Sequence, residues 1–287
     1  IVGRNDFAIL DKDDHASIVD GCFMARGMNQ AGMRRFSHND PDSLEYALAK
    51  LPEDAGKLVI VDGVYSMGGD IAPLPTLVEI CKRHGARIMV DDAHSIGVLG
   101  QGHGTAWHFG LTDEVDLIMG TFSKSLASIG GFIAGDEQTI HYIQHFARSF
   151  VFSASLPASN AAAVLAALDI IENEPEHVQR LWDNAEYMRA GLKRLGFDTG
   201  TSNTPVIPIY VRDDYRTVLA WHALIEEGVY TNPVVSPGVP PNGSLLRTSY
   251  MATHRKEHLD RALKGLATVG RNLDLIPEDA SLEPQAS

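Results

Sequence analysis

The apolar residues of this chain fall into two textures. In the first half they come as short unbroken runs separated by helical stripes. Phe7 to Leu10 reads as a strand, followed by the polar turn Asp11-Lys12-Asp13-Asp14. Leu58 to Val61, Ile88 to Val90 and Leu117 to Met119 are runs of the same kind. Short runs without alternation suit parallel strands buried on both faces. Between the runs at 58 and 88, Leu77, Val78, Ile80 and Cys81 make a helical stripe that Gly85 ends. Asp42 or Ser43 is expected to cap a helix running to about Leu51, with Leu44, Ala47 and Leu48 on one face. Strand, helix, strand at this spacing is a βαβ unit, so the first half reads as α/β with a mostly parallel sheet.

The texture changes near Ser153. Asn160 to Asn173 is an alanine-rich helix, and Leu181 to Leu195 a second one stopped by Gly196. Val206 to Val211 reads as a strand and Tyr215 to Glu227 as a helix ending at Gly228. Two short strands are expected around Tyr230 and over Leu245 to Ser249, then an amphipathic helix from His258 to Leu273. This α+β pattern predicts a smaller domain over 153–287 beside a larger one over 1–152. Pro277 to Ser287 is polar and reads as a frayed end.

Composition narrows the function classes. Against 24 Lys+Arg stand 37 Asp+Glu, so the formal charge is 24 − 37 = −13. A surface this acidic repels phosphate backbones and argues against a nucleic-acid partner. No apolar run approaches the ~18 residues of a transmembrane segment. Cys22 and Cys81 are too few for a disulfide framework or a zinc site, which points to a reducing, cytoplasmic setting. The opening Ile1-Val2-Gly3-Arg4-Asn5-Asp6 has neither a methionine nor the pattern of a signal peptide, so a preceding segment is expected.

Two loops carry candidate chemistry. Asp91, Asp92 and His94 follow the apolar run at Val90, at the strand end where ligands collect in open α/β sheets. An isolated Asp there is more often a helix cap, but here two titratable groups share one loop. The second loop, Gly120-Thr121-Phe122-Ser123-Lys124-Ser125, again follows a strand. Most lysines are solvated surface groups. Lys124 instead sits among hydroxyls, ahead of a Gly130-Gly131 pair that permits close backbone approach. Such a loop can hold a phosphate, and its lysine can form a Schiff base with a cofactor aldehyde. A carboxylate on a neighbouring strand is the arrangement pyridoxal phosphate needs for its pyridinium nitrogen.

Three stretches resemble the α-oxoamine synthases: Asp62 to Leu74 (DGVYSMGGDIAPL), Val90 to Gly100 (VDDAHSIGVLG) and Gly120 to Gly131. The resemblance runs from Asp14-His15-Ala16-Ser17-Ile18 to Arg247-Thr248-Ser249. Thr121 to Ser125, Tyr65 to Leu74 and Phe152 to Pro157 are most similar to the serine palmitoyltransferase branch, and synthases of polyketide pathways share the lysine motif. The resemblance implies a fold-type I, aminotransferase-like enzyme with pyridoxal 5'-phosphate as cofactor. Lys124 matches the aldimine lysine and the general base. Asp91 matches the carboxylate on the pyridine nitrogen, His94 the donor to the phenolic oxygen, and His15 the histidine stacked on the ring. Taken alone, His15 is a loop histidine. Thr121 and Ser123 match phosphate contacts, and Ser153 the residue that reaches the phosphate of the neighbouring subunit. Arg247 matches the arginine that holds the substrate carboxylate, a task suited to a planar fork.

The implied reaction joins an amino acid, expected to be L-serine, to a long-chain acyl-CoA such as palmitoyl-CoA. It loses carbon dioxide and gives an α-amino ketone, here 3-oxosphinganine. Alternatives are an 8-amino-7-oxononanoate synthase-like or acyl-carrier-protein-dependent enzyme. A non-catalytic scaffold subunit of a heteromer is a third reading, against which the presence of Lys124 counts. A homodimer with sites at its interface is expected. Two departures from the family stand out. Asp62 replaces the usual Glu, and the chain starts after a portion that in the family supplies glycine-rich and aromatic cofactor contacts.

Overall fold

The apolar runs of the first half become the centre of a six-stranded sheet. In the computed structural model, which describes residues 1–282, the chain begins β1 (Phe7–Asp11), α1 (Ala16–Asn29), β2 (Gly32–Phe36), α2 (Pro41–Ala49) and β3 (Lys57–Asp62). It continues through α3 (Leu74–Arg83), β4 (Arg87–Asp91), α4 (Thr105–His108), β5 (Leu117–Thr121) and β6 (Gly131–Gly135). The strand order is β2-β1-β3-β4-β5-β6, with β6 alone antiparallel to its neighbour.

Side chains alternate across each strand. Ile9, Val59, Val61, Ile88 and Val90 pack with Leu44 and Leu48 of α2 and with Leu77, Ile80 and Cys81 of α3. Ala8, Leu10 and Ile60 point the other way, against Ile18 and Cys22 of α1. Both faces are covered, which is why these strands read as unbroken apolar runs.

The sheet ends differ from expectation in a consistent way. β2, with the sequence GMRRF, and β6, bounded by glycines, are edge strands. Edges lack a continuous apolar run and carry charge or glycine instead, so periodicity passes over them. Helix α1 was equally silent: only Ile18 and Cys22 are buried, while Phe23, Met24 and Met28 are exposed, and no single stripe marks it. The cap of α2 is Asp40, whose carboxylate accepts the Ser43 N–H at 3.0 Å, rather than Asp42 or Ser43. Pro41 occupies the first helical position and needs no N–H there.

After β6 come α5 (Glu137–Phe146), α6 (Arg148–Val151) and α7 (Ala158–Asn173). The remaining elements are α8 (Glu176–Leu195), β7 (Val206–Tyr210), α9 (Asp214–Glu226), β8 (Asn232–Val234), β9 (Leu245–Ser249) and α10 (Lys256–Asn272). Strand β8 lies just beyond the position expected at Tyr230. The strands form an antiparallel sheet in the order β7-β9-β8, packed on a core of Leu192, Leu195, Ile207, Ile209, Leu246, Leu263 and Leu266.

These elements divide into two compact units. One comprises Ile1–Tyr65 and Ile71–Pro175; the other takes Ser66–Asp70 and the chain from Glu176 onward. The division after Pro175 replaces the boundary expected between 152 and 153, because α7 stays with the first unit. Its Asn160 carbonyl accepts the Ser128 hydroxyl at 3.1 Å, and its amide donates back to the same oxygen at 3.1 Å. The five-residue excursion has an equally local cause. The Gly69 carbonyl accepts the Thr204 hydroxyl at 2.8 Å and the Asn203 N–H at 3.2 Å, and the Ser66 carbonyl accepts Arg247 Nε at 2.6 Å. Gly69 has φ of 67°, and a Cβ there would lie 2.0 Å from the Val206 carbonyl oxygen, so only glycine fits.

The polar end is not frayed as far as it is described. The carbonyls of Ala280 and Leu282 accept Arg271 and Arg194, each at 2.8 Å, and Ile276 is buried in the second core. Residues 283–287 of the expected frayed end lie outside the described residues. Cys22 and Cys81 are both free and buried. Among the described residues no helix is long and apolar enough to cross a membrane.

Leu192 is wholly buried in the second core. Leu192→Ala is therefore expected to destabilise the protein by about 2–5 kcal/mol, the loss of a buried side chain plus the cavity left behind. Denaturant midpoints measure it, and a change well below that range would contradict the packing described.

Candidate active site

The parallel strands end at a common level, and their last residues are polar. Asp62 closes β3 and Asp91 closes β4, and the two are register partners. The next strand reaches the same edge at Thr121. A cavity of about 290 Å³ opens there, lined by His15, Asp62, Asp91, His94, Thr121, Ser123 and Lys124, with Ser17, Val64, Ala93 and Met119 filling the remainder. Six of the eight residues expected at a site thus meet on one cavity within the first unit. A larger, open hollow of about 1430 Å³ lies at the opposite edge, where Phe7, Lys57, Arg87 and Leu117 begin their strands. Ligands in open α/β sheets bind at the carboxyl ends of strands, and the smaller cavity holds the convergent chemical groups, so it is the candidate site.

Backbone groups hold several of the side chains at this cavity. One Asp91 oxygen accepts the Ala93 N–H at 2.9 Å. The loop carrying His94 turns on Asp92, which is fully buried and accepts the Thr105 N–H at 3.0 Å. The Thr105 hydroxyl donates to Ser95 Oγ at 2.8 Å. A side chain at Gly63 would come within 2.2 Å of Thr105 Oγ1, so the strand that ends in Asp62 must continue through glycine to clear this network. Burial pushes the Asp92 carboxyl up to about 6, although Thr105 and Ser95 bond it and pull the other way.

His15 is the N-cap of α1. Its Nδ1 accepts the Ser17 N–H at 3.3 Å and lies 2.8 Å from Ser17 Oγ. With Nδ1 accepting, the ring proton of the neutral imidazole sits on Nε2. The hydroxyls ahead of Lys124 are linked: Thr121 Oγ1 is 2.8 Å from Ser123 Oγ, accepts the Ser123 N–H at 3.2 Å and reaches the Gly130 carbonyl at 3.2 Å.

The electrostatics of this edge are dominated by carboxyls. Asp14 accepts the N–H groups of Asp11 at 2.9 Å and of Asp62 at 3.0 Å, joining the ends of β1 and β3. Burial, then the charges of Asp62 and Asp11, push it up to about 9. Asp62 is pushed up to about 8 by burial and by Asp91, against the pull of the His15 N–H and the Lys124 charge. Asp11 is also buried, yet His38 at 3.0 Å and the N–H groups of Asp13 and Asn39 hold it below the usual carboxylate range.

Two expected residues are not on the cavity wall. Ser153 is exposed just past α6, and its hydroxyl donates to the Ser149 carbonyl. Arg247 lies in β9 of the second unit, where burial lowers its guanidinium from the ordinary range. A further wall residue, Asp62, has no role in the sequence motif that contains it, although it ends a buried apolar run just as Asp91 does.

Comparison with known proteins places this geometry. Residues 8–266 match the family model described as aminotransferase class I and II. A serine palmitoyltransferase of Sphingobacterium spiritivorum is 47% identical over 276 residues, 96% of this chain and 68% of that protein. An 8-amino-7-oxononanoate synthase of Symbiobacterium thermophilum is 44% identical over 278 residues, 96% of this chain and 70% of that protein. A solved structure of SPT with its PLP internal aldimine superposes with a TM-score of 0.92 at 36% identity, covering 96% of this chain and 69% of that one.

The buried Asp92 gives a pH signature. Its folded state keeps a proton to higher pH than the unfolded chain does, so the stability that Asp92 contributes is lost as pH rises from the ordinary value near 3.8 to about 6, and its contribution is level above that. Asp92→Asn does not titrate and escapes this loss. Denaturation at a series of pH values should show the variant gaining on the parent protein across that window and not beyond it; parallel curves would rule out a perturbed Asp92.

Proposed function

The chain belongs to the aminotransferase class I and II family, and from that premise we propose that it is a pyridoxal phosphate-dependent α-oxoamine synthase. The observation that carries this reading is one cavity that holds Lys124, Asp91 and the linked hydroxyls of Thr121 and Ser123. The donor set fits the cofactor: an amine for the aldehyde, a buried carboxylate for the ring nitrogen, hydroxyl donors for the phosphate, and an imidazole on the wall. The cavity's volume is close to the lower end of the range for small-molecule pockets.

Bound there, pyridoxal phosphate supplies an aldehyde that takes up amines and a ring that accepts the electron pair released at an amino acid's α-carbon. The protein's own groups do the rest. Lys124 Nζ removes the α-proton as general base. Asp91 holds a proton at the pyridine nitrogen. His15 fixes the plane of the ring, which sets which bond at the α-carbon is aligned for cleavage. His94 donates to the phenolic oxygen, and Arg247 takes the substrate carboxylate. The α-carbon then bonds to the carbonyl carbon of an acyl thioester as the thiol leaves. Loss of carbon dioxide from the β-keto acid completes an α-amino ketone.

The substrates we infer are L-serine and a long-chain acyl-CoA, giving 3-oxosphinganine. Support comes from the Thr121 to Ser125 and Tyr65 to Leu74 motifs and from the serine palmitoyltransferase relative. An 8-amino-7-oxononanoate synthase-like activity is the second reading, because a relative of that name is nearly as similar; donation from an acyl-carrier protein belongs with it. A scaffold subunit is disfavoured by the complete Lys124–Asp91 pair. We further infer a cytoplasmic homodimer in which Ser153 serves the partner's phosphate site. Phe146, Phe150 and Phe152 support it: they are 65%, 64% and 78% exposed beside Ser153 on α5, α6 and the turn that follows. Apolar patches of this kind mark protein interfaces.

Two experiments test the reading. Borohydride reduction of the cofactor-loaded protein, followed by peptide mapping, should tag Lys124, and Lys124→Ala should abolish turnover while retaining some cofactor non-covalently. A tag elsewhere, or none, removes the assignment. Titrating serine, alanine and glycine against the cofactor's visible absorbance, with product mass measured, should favour serine clearly. A site with a polar partner for the hydroxyl rejects the analogue lacking it. Better turnover with alanine or glycine removes the serine reading and keeps the synthase.

A further inference from the structure

We propose that Asp62, buried beside Asp91 at the floor of the cavity, carries a proton at neutral pH, so that Asp62 is a positioning residue setting the charge that this edge presents to the cavity. The geometry of the sheet imposes the pairing. Asp62 and Asp91 are register partners on adjacent parallel strands, and such strands lie about 4.8 Å apart. Equivalent positions on parallel neighbours point to the same side, and both side chains line the same cavity. Both residues are also buried, at 4% and 5% exposure. Carboxyls buried on neighbouring strands, away from bulk water, raise the cost of ionising each other.

Asp62, rather than Asp91, holds the proton because of where it stands in the row. Asp91 has Asp62 on one side, and Asp92 beside it is turned into the Thr105 network. Asp62 stands between Asp91 on β4 and the Asp11–Asp14 pair at the end of β1, with its own backbone N–H donated to Asp14. The other groups facing it are His15 through its backbone N–H, Lys124, the buried phenol of Tyr65, and His94 across the cavity. Among these groups the charge of Lys124 is opposed by those of Asp91 and Asp11. The direction of Asp62's shift, upward through burial and Asp91, agrees with this placement.

The consequence is a cavity edge with one fixed anion. A protonated Asp62 leaves Asp91 free to pair with a cation. An ionised Asp62 would add a second charge at the same level and strengthen the hold on any proton at Lys124. The identity of the cation that Asp91 meets rests on the pyridoxal phosphate reading above; the proton on Asp62 does not.

The test separates the two. Carboxyl ¹³C resonances of the full-length protein, cofactor-free and loaded, are followed against pH and assigned through Asp62→Asn and Asp91→Asn. The Asp62 resonance should titrate well above the ordinary carboxylate range. Ordinary titration of Asp62 overturns the proposal. In the loaded protein, the visible band of the Lys124-linked cofactor reports the proton at Nζ. Its midpoint should move to lower pH by about one unit in Asp62→Asn, and in the parent protein the transition should be broadened by coupling to Asp62. Identical curves overturn the positioning role. Asp62→Ser supplies the same assignment should the amide variant fold poorly. Absence of a borohydride tag at Lys124 would count against the synthase reading instead, and leaves the carboxyl titration readable.

Discussion

The site depends on a register. β3 and β4 run parallel and stop at the same level, so Asp62 and Asp91 are set side by side at the point where both faces of the sheet are already sealed by helices. Carboxyls in such a place must be compensated, because burying an unpaired charge is costly. The compensation visible in the structure is a set of backbone N–H groups: Ala93 to Asp91, Asp62 and Asp11 to Asp14, and Thr105 to Asp92. Few cations are nearby, so some of these groups are driven to hold protons.

The same constraint explains the surrounding loops. The chain leaves β3 through Gly63 because a side chain there would strike the Thr105–Asp92 network. It leaves β4 through Asp92, whose burial anchors the turn that presents His94. It leaves β5 through Thr121 and Ser123, whose hydroxyls bond each other and the Gly130 carbonyl rather than solvent alone. Each strand therefore ends in a loop whose backbone is held from beneath, which is how functional side chains on loops acquire fixed positions. His15 fits the scheme from the opposite direction. It caps α1, so the helix that seals one face of the sheet also orients the ring at the cavity wall.

Ser66–Asp70 shows how a short stretch can leave its neighbours in sequence. It follows directly on Asp62 to Tyr65 in the chain, yet its carbonyls are bound by Thr204, Asn203 and Arg247 of the second unit. The Arg247 that the family resemblance ties to a substrate carboxylate thus has a structural bond of its own, through Nε. Its planar fork leaves the terminal nitrogens as the groups that would face a carboxylate.

The sequence by itself determined the central strands, the βαβ order, most helices of the second half and six residues of the cavity. Those features are local. An unbroken apolar run requires burial on both faces, and a polar residue that ends such a run is delivered to the sheet's edge. The edge strands β2 and β6 and the helix α1 left no such trace, since their residues are half solvated and their pairing is decided by neighbours far along the chain. The true cap at Asp40, the stay of α7 with the first unit and the tethered stretch to Leu282 are likewise products of contacts between distant residues. Only the tertiary structure set Asp62 beside Asp91. Each residue alone is an aspartate at a strand end, and their placement side by side follows from a parallel register that no single segment encodes.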